Sequence, residues 1–170
     1  WHSVRARAVV VPENSGWHVT GDGTIRSPDP TGAGGAQLVP LEFTQRFPLE
    51  YELRITLRRD AGSGRFELGV PWKDEKTFVA RVDLGAPARP ENGKAAADAH
   101  VVTLVVHADE CAMQLDARAP ETWRTGAQFP WTVRSPGEGA RVFSLTLLDP
   151  DTHVWIDDVQ LKCLARSRAK

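Results

Sequence analysis

Residues 50–59, EYELRITLRR, place Tyr51, Leu53, Ile55 and Leu57 at every second position, with Glu50, Glu52, Arg54, Thr56 and Arg58 between them. Successive side chains of a strand point to opposite faces, so this period of two predicts an antiparallel strand with one buried and one wet face. The same alternation recurs along the chain. Val4, Ala6, Ala8 and Val10 alternate with Arg5 and Arg7 over residues 4–11, Phe66, Leu68 and Val70 share one side of 65–72, and Phe78, Ala80, Val82 and Leu84 share one side of 77–84. Residues 99–108, AHVVTLVVHA, are apolar on both faces over part of their length, which predicts a strand in the middle of a sheet. Further strands are predicted at 17–20, 24–26, 36–40, 42–46, 111–117, 141–148 and 153–164. Turns are predicted at Gly21-Asp22-Gly23, Asp60-Ala61-Gly62-Ser63-Gly64, Lys73-Asp74-Glu75-Lys76 and Asp149-Pro150-Asp151. Residues 27–35, 85–98 and 119–140 read as loops. No stretch carries a helical period, and about eleven to thirteen short strands at such spacing predict an all-β, two-sheet antiparallel sandwich.

The 170 residues suit one domain, expected over 1–164 and followed by a basic tail or linker at 165–170. A formal net charge of -1 argues against a nucleic-acid binder driven by bulk charge, and no apolar run is long enough to span a membrane as a helix. Of the 21 basic residues 16 are arginine; with many Ala, Gly and Pro this points to GC-rich coding and a bacterial source. The single methionine is Met113 and the sequence opens on Trp1, so the stretch is expected to be a module of a larger, modular or extracytoplasmic protein. Cys111 and Cys163 exclude a disulfide-dense scaffold; two strand thiols are the leading expectation, with one bridge left open.

Several segments resemble the concanavalin A-like lectin/glucanase jelly roll, in the manner of laminin-G-like and 3-keto-disaccharide-hydrolase-like bacterial domains. They are Gly16-Trp17 with Gly21-Asp22-Gly23-Thr24-Ile25, the strand through 47–59 with its Gly62-Ser63-Gly64 turn, His100 to Val106, Gln114 to Ala117 followed by Trp123, and the closing Val154-Trp155-Ile156-Asp157-Asp158-Val159-Gln160-Leu161. The resemblance covers 17–164 and implies a jelly-roll fold. Its members include lectins, glycan-binding modules and glycosidases, so the fold by itself leaves activity open. In related jelly rolls the acidic position of the closing strand can serve a structural calcium, which makes Asp157 or Asp158 the metal candidates; the leading expectation is no cofactor and an Asp hydrogen-bonded to a neighbouring loop. On a regular strand these two point to opposite faces, so at most one faces inward.

Candidate chemistry narrows the choice. Glu50 and Glu52 have an i, i+2 spacing, about 6.6 Å on one strand face, that a glycosidase could use. Arg54 and Arg58 continue that face, which makes a solvated mixed-charge surface the better reading. Asp149 and Asp151 flank a proline in a turn, where Asp is expected anyway. The five histidines show no metal-binding spacing, there is no Gly-x-Ser-x-Gly elbow, and Gly32-Ala33-Gly34-Gly35 lacks the Lys-Ser/Thr of a phosphate loop. Six tryptophans form the remaining cue, because sugar rings stack on aromatic faces. Trp17 and Trp155 are expected to cap the core. Trp72, Trp123 and Trp131, with Lys73 and Arg124 beside them, are the candidate ligand-binding set. The leading expectation is therefore a non-catalytic module that binds carbohydrate, with no catalytic residues. A 3-keto-glycoside hydrolase or lyase and a protein-binding or spacer module stand as the alternatives.

Overall fold

The period-two stretches pair into two antiparallel sheets. The computed structural model describes residues 1–3, 9–10, 15–28, 40–43, 47–72, 77–85, 98–124 and 143–164. Most of the predicted strands at 36–40 and 4–11, the tail at 165–170, Lys73 and Trp131 lie outside them. In chain order the strands are β1 (His2–Ser3), β2 (Val9–Val10), β3 (His18–Val19), β4 (Ile25–Arg26), β5 (Leu41–Phe43), β6 (Tyr51–Ala61) and β7 (Arg65–Pro71). They continue with β8 (Thr77–Asp83), β9 (Asp98–Val106), β10 (Glu110–Leu115), β11 (Glu121–Arg124), β12 (Phe143–Leu147) and β13 (His153–Cys163). An eight-stranded sheet runs β11-β10-β9-β6-β13-β4-β3, with β1 also on β13, and a five-stranded sheet runs β2-β5-β12-β7-β8. The described residues contain no helix.

The inward faces are those the alternation predicts. Leu53, Ile55 and Leu57 of β6, Val102 and Leu104 of β9, and Val154 and Ile156 of β13 meet Leu41, Phe43, Phe66, Leu68, Phe143 and Leu145 of the other sheet. Each such side chain contributes about 1.5–3 kcal/mol by leaving water. Phe43 and Phe47 pack on Phe143 with ring centroids 5.2 and 6.0 Å away, and Tyr51 donates its hydroxyl proton to the Pro71 carbonyl at 2.6 Å across the sheets. β9 lies between β6 and β10, the central place that its apolar faces predict.

Three elements differ from the sequence reading. β11 lies in a stretch read as loop; ETWR has one apolar position, and its strand character comes from pairing Cys111 with Trp123 and Ala112 with Thr122. The strand predicted at 111–117 stops at Leu115, because Asp116 turns the chain with a φ of 53°. In β13 the pairing to β6 shifts between Ile156 and Asp158, a bulge that sets Asp157 outside the alternation.

The β6–β7 hairpin is fastened to the β12–β13 turn. Ser63 donates its hydroxyl to Asp149, and Arg65 donates to both oxygens of the same carboxylate at 3.0 and 2.9 Å. Gly62 has a φ of 81°, and a Cβ there would run into the Asp151 carbonyl; Gly23 has a φ of 90° with open space around it. Gly62→Ala is therefore expected to lower stability by well over the roughly 1 kcal/mol typical of a positive-φ glycine, and Gly23→Ala by no more than that. Urea unfolding of both variants measures the difference, and equal losses would contradict the close packing of the two turns.

Candidate functional site

Of the tryptophans predicted to meet ligand, the two described ones, Trp72 and Trp123, are both buried. Trp72 is 6% exposed: its ring stands edge-on to Phe78 at 5.9 Å and 82°, and its Nε1 donates to the His107 carbonyl at 2.8 Å. Trp123 is 9% exposed and also packs on Phe78, at 5.1 Å. The structure thus brings Trp72 and Trp123 together, as a closure of the core rather than as an open stacking platform. Arg124, beside them in sequence, faces outward and donates to Glu110 at 2.8 Å.

Trp17 is buried as expected. Trp155, expected in the core, lies on the outward face of the eight-stranded sheet, because Val154 and Ile156 on either side of it point inward. It sits in the cross-strand row with Arg26 and Arg58, whose guanidinium carbons lie 5.2 and 5.6 Å from the indole centroid. Arg58 in turn grips Asp157 with two hydrogen bonds of 2.7 Å, and Asp158 accepts from Ser3 and Gln160. The bulge turns both aspartates outward onto protein partners, which corrects the expectation of opposite faces. Among the described residues, no three His, Cys, Asp or Glu side chains are grouped as a metal site would need. Both cysteines are free thiols; burial, and after it the Glu110 charge, pushes the Cys111 thiol up to about 12, whereas Cys163 is exposed.

Polar groups and concavity coincide at the edge strand of the five-stranded sheet. On its outward face, cross-strand rows carry Thr146, Glu67 and Arg81, then Glu42, Ser144, Gly69 and Val79. A Cβ on Gly69 would meet the Ser144 hydroxyl, so glycine is what lets that hydroxyl lie flat on the sheet. Arg81 donates from Nε to Glu67 at 3.1 Å and keeps most of its guanidinium in solvent.

Arg81 also borders a cleft of about 180 Å³ between β8 and the edge of the other sheet at β10 and β11. Val82, Met113 and Leu115 supply its apolar surface, while Arg81, Asp83, Arg118 and Glu121 supply charge. Glu121 stands opposite Met113 in the register and so faces the same side. Arg118 leans across to the Asp83 carbonyl at 3.4 Å, its position fixed by Arg118 N–H to the Leu115 carbonyl and by Gln114 to the Arg118 carbonyl, both 3.0 Å. These residues come from two separated stretches, 81–83 and 113–121, and no spacing in the sequence announces them. The one local hint is a pair of opposite charges, Arg118 and Glu121, set around Ala119-Pro120 in a turn.

Beneath one end of the cleft lies a buried polar cluster. Arg59 donates from Nη1 to the Gly85 carbonyl at 2.6 Å and from Nη2 to Asp98. His100 donates from Nδ1 to Asp116 at 2.9 Å, since a carboxylate only accepts, and its Nε2 lies 3.2 Å from the Asp98 oxygen that Arg59 binds. Burial pushes the Asp98 carboxyl up, but the Arg59 hydrogen bond and His100 beside it draw it down further, below the usual carboxylate range.

No protein-family model matches the chain, and neither does any curated protein. Solved structures do match over nearly its whole length. A Parabacteroides distasonis protein provisionally described as a glycosyl hydrolase aligns with a TM-score of 0.61 at 11% identity, over 93% of this chain and 94% of that one. The carbohydrate binding module CBM66 from Bacillus subtilis aligns at 0.50 and 12% identity, over 95% and 94%. A glycosyl hydrolase family protein from Mycobacterium fortuitum aligns at 0.51 and 13%, over 86% and 78%. At these identities the likeness concerns architecture. The chain has the concanavalin A-like jelly-roll fold, the β-sandwich that the quoted segments resemble.

Trp72→Ala is expected to cost about 3–5 kcal/mol, the loss typical of a buried aromatic, measured by denaturant unfolding; a loss under about 1 kcal/mol would contradict its core role. Asp98 has a lowered folded pKa, so its contribution to stability is present above the unfolded carboxylate value of about 3.9 and is lost as pH falls through the folded one. Thermal melts from neutral pH to about pH 3 should show a steeper acid loss in the wild type than in Asp98→Asn.

Proposed function

We propose that the chain is a non-catalytic carbohydrate-binding module whose ligand enters the β8-edge cleft and extends over the outward face of the five-stranded sheet. The observation that carries this reading is the chemistry of the cleft: an apolar floor of Val82, Met113 and Leu115 under a rim of Arg81, Arg118, Asp83 and Glu121. A sugar ring has the matching duality. Its C–H face is apolar, and its hydroxyls both donate to carboxylates and accept from guanidinium groups. At about 180 Å³ the cleft is below the roughly 300–1,000 Å³ of drug-sized pockets, which suits one ring with the rest of a chain lying outside. Thr146, Ser144, Glu42 and Glu67 then provide hydrogen-bonding groups along the adjoining sheet face. The shared fold with a carbohydrate binding module is consistent with this reading.

Binding to a panel of neutral and acidic oligosaccharides, followed by calorimetry on any hit, tests the proposal. Arg118→Ala and Glu121→Ala, both exposed, should each weaken binding about tenfold or more with little change in melting temperature. Cleavage of a bound glycan, seen as new reducing ends or unsaturated products, would replace the module with an enzyme. Absence of binding across the panel would leave a protein-binding or spacer module as the better account.

A further inference from the structure

Two walls meet at the end of the cleft where Arg118 reaches Asp83. One is the end of β8 running into Gly85; the other is the turn at 116–118. Each is held from below by a different buried side chain. Arg59 holds the first through the Gly85 carbonyl, and the Gly85 N–H in turn binds Asp83 Oδ1 at 2.7 Å. His100 holds the second through Asp116, whose other oxygen takes the Val101 N–H at 2.7 Å. Asp116 needs such holding, because a φ of 53° is a conformation that residues other than glycine adopt at a cost. Arg59 and His100 converge on a single atom, Oδ2 of Asp98.

We propose that Asp98 is the positioning residue of this cleft: it ties the β8 wall carrying Asp83 to the turn carrying Arg118 and so sets the gap between them. The proposal rests on reading the cleft as the ligand site. A simple ion pair between neighbouring strands would need only the Arg59–Asp98 contact, since these residues already face each other across β6 and β9. Here each partner of Asp98 spends a second nitrogen on a different wall. The cluster also leaves Arg59 Nε buried without a hydrogen bond and gives the buried His100 Nε2 only its 3.2 Å ion-pair contact with Asp98, a cost that apolar side chains would avoid. Packing alone gives no reason for that arrangement, whereas holding two walls in register does.

Amide hydrogen exchange on the unliganded protein separates this proposal from the one about ligand. In Asp98→Asn the Gly85 and Arg118 amides, one on each wall, should exchange faster together, by about tenfold or more, with Leu104 in the middle of β9 unchanged. Faster exchange on one wall only, or on neither, would overturn the coupling. Should Asp98→Asn fail to fold, His100→Asn serves instead. It keeps a donor for Asp116 and loses the approach to Asp98, so Gly85 on the far wall should exchange faster; an unchanged Gly85 would overturn the proposal. Glycan binding about tenfold weaker in Asp98→Asn extends the effect to the ligand. A wild-type protein that binds no glycan sinks the assigned ligand while the exchange result still decides whether Asp98 couples the walls.

Discussion

The pairing of β6 with β13 organises the molecule. It runs from Tyr51 opposite Cys163 to Ala61 opposite His153, through the middle of the eight-stranded sheet. Inward, it presents Leu53, Ile55 and Leu57 beside Ile156, Val159 and Leu161 as a large part of the core. Strict alternation after Ile156 would turn Val159 and Leu161 to solvent, since a slip of one residue flips every later side chain. The bulge at Asp157 prevents this by absorbing one residue, and the inward phase resumes at Val159. The outward position of both aspartates, and the double hydrogen bond from Arg58 to Asp157, are consequences of that correction.

The two ends of the sandwich are closed by different chemistry. Tyr51 and Arg59 are eight residues apart on β6, roughly 26 Å. Near Tyr51 the closure is aromatic, with Trp72 and Trp123 both packed on Phe78. Near Arg59 it is polar, with Arg59, His100, Thr152 and His153 all buried. His153 sits there between Arg26, which donates to its Nε2, and Asp60, which accepts from its Nδ1, each at 3.1 Å. That pair of contacts fixes the neutral tautomer with the proton on Nδ1. The cleft lies along the edge joining the ends, so its floor belongs to the core and its rim can be braced by the polar cluster.

The fold was legible wherever a strand carried its own period. The amphipathic 50–59 stretch and the doubly apolar 99–108 stretch identified the two central strands of one sheet. The bulge was also written in the sequence: the apolar positions 154, 156, 159 and 161 contain one interval of three among intervals of two. β11 was not legible, since one apolar residue in four gives no period and its strand identity depends on Cys111 and Ala112. The roles of Trp72 and Trp123 were hidden for a related reason. Their burial depends on Phe78, which reaches them from another strand, and a tryptophan at a strand end reads the same whether its face is wet or covered. The cleft was the least legible part, because β8 becomes a neighbour of the β10–β11 pair only when two sheets end side by side.

The sheet order also has a consequence in time. β6 pairs on one side with β9 and on the other with β13, whose first residue follows β6's last by more than ninety positions. While the chain is being made, the β9, β10 and β11 side of β6 can assemble long before its opposite edge has a partner. That edge is a row of open hydrogen-bonding groups above a ready apolar face, the arrangement that invites wrong pairing between chains. Completion therefore waits for the last strand, and folding of this sandwich is governed by distant contacts rather than by its many short hairpins.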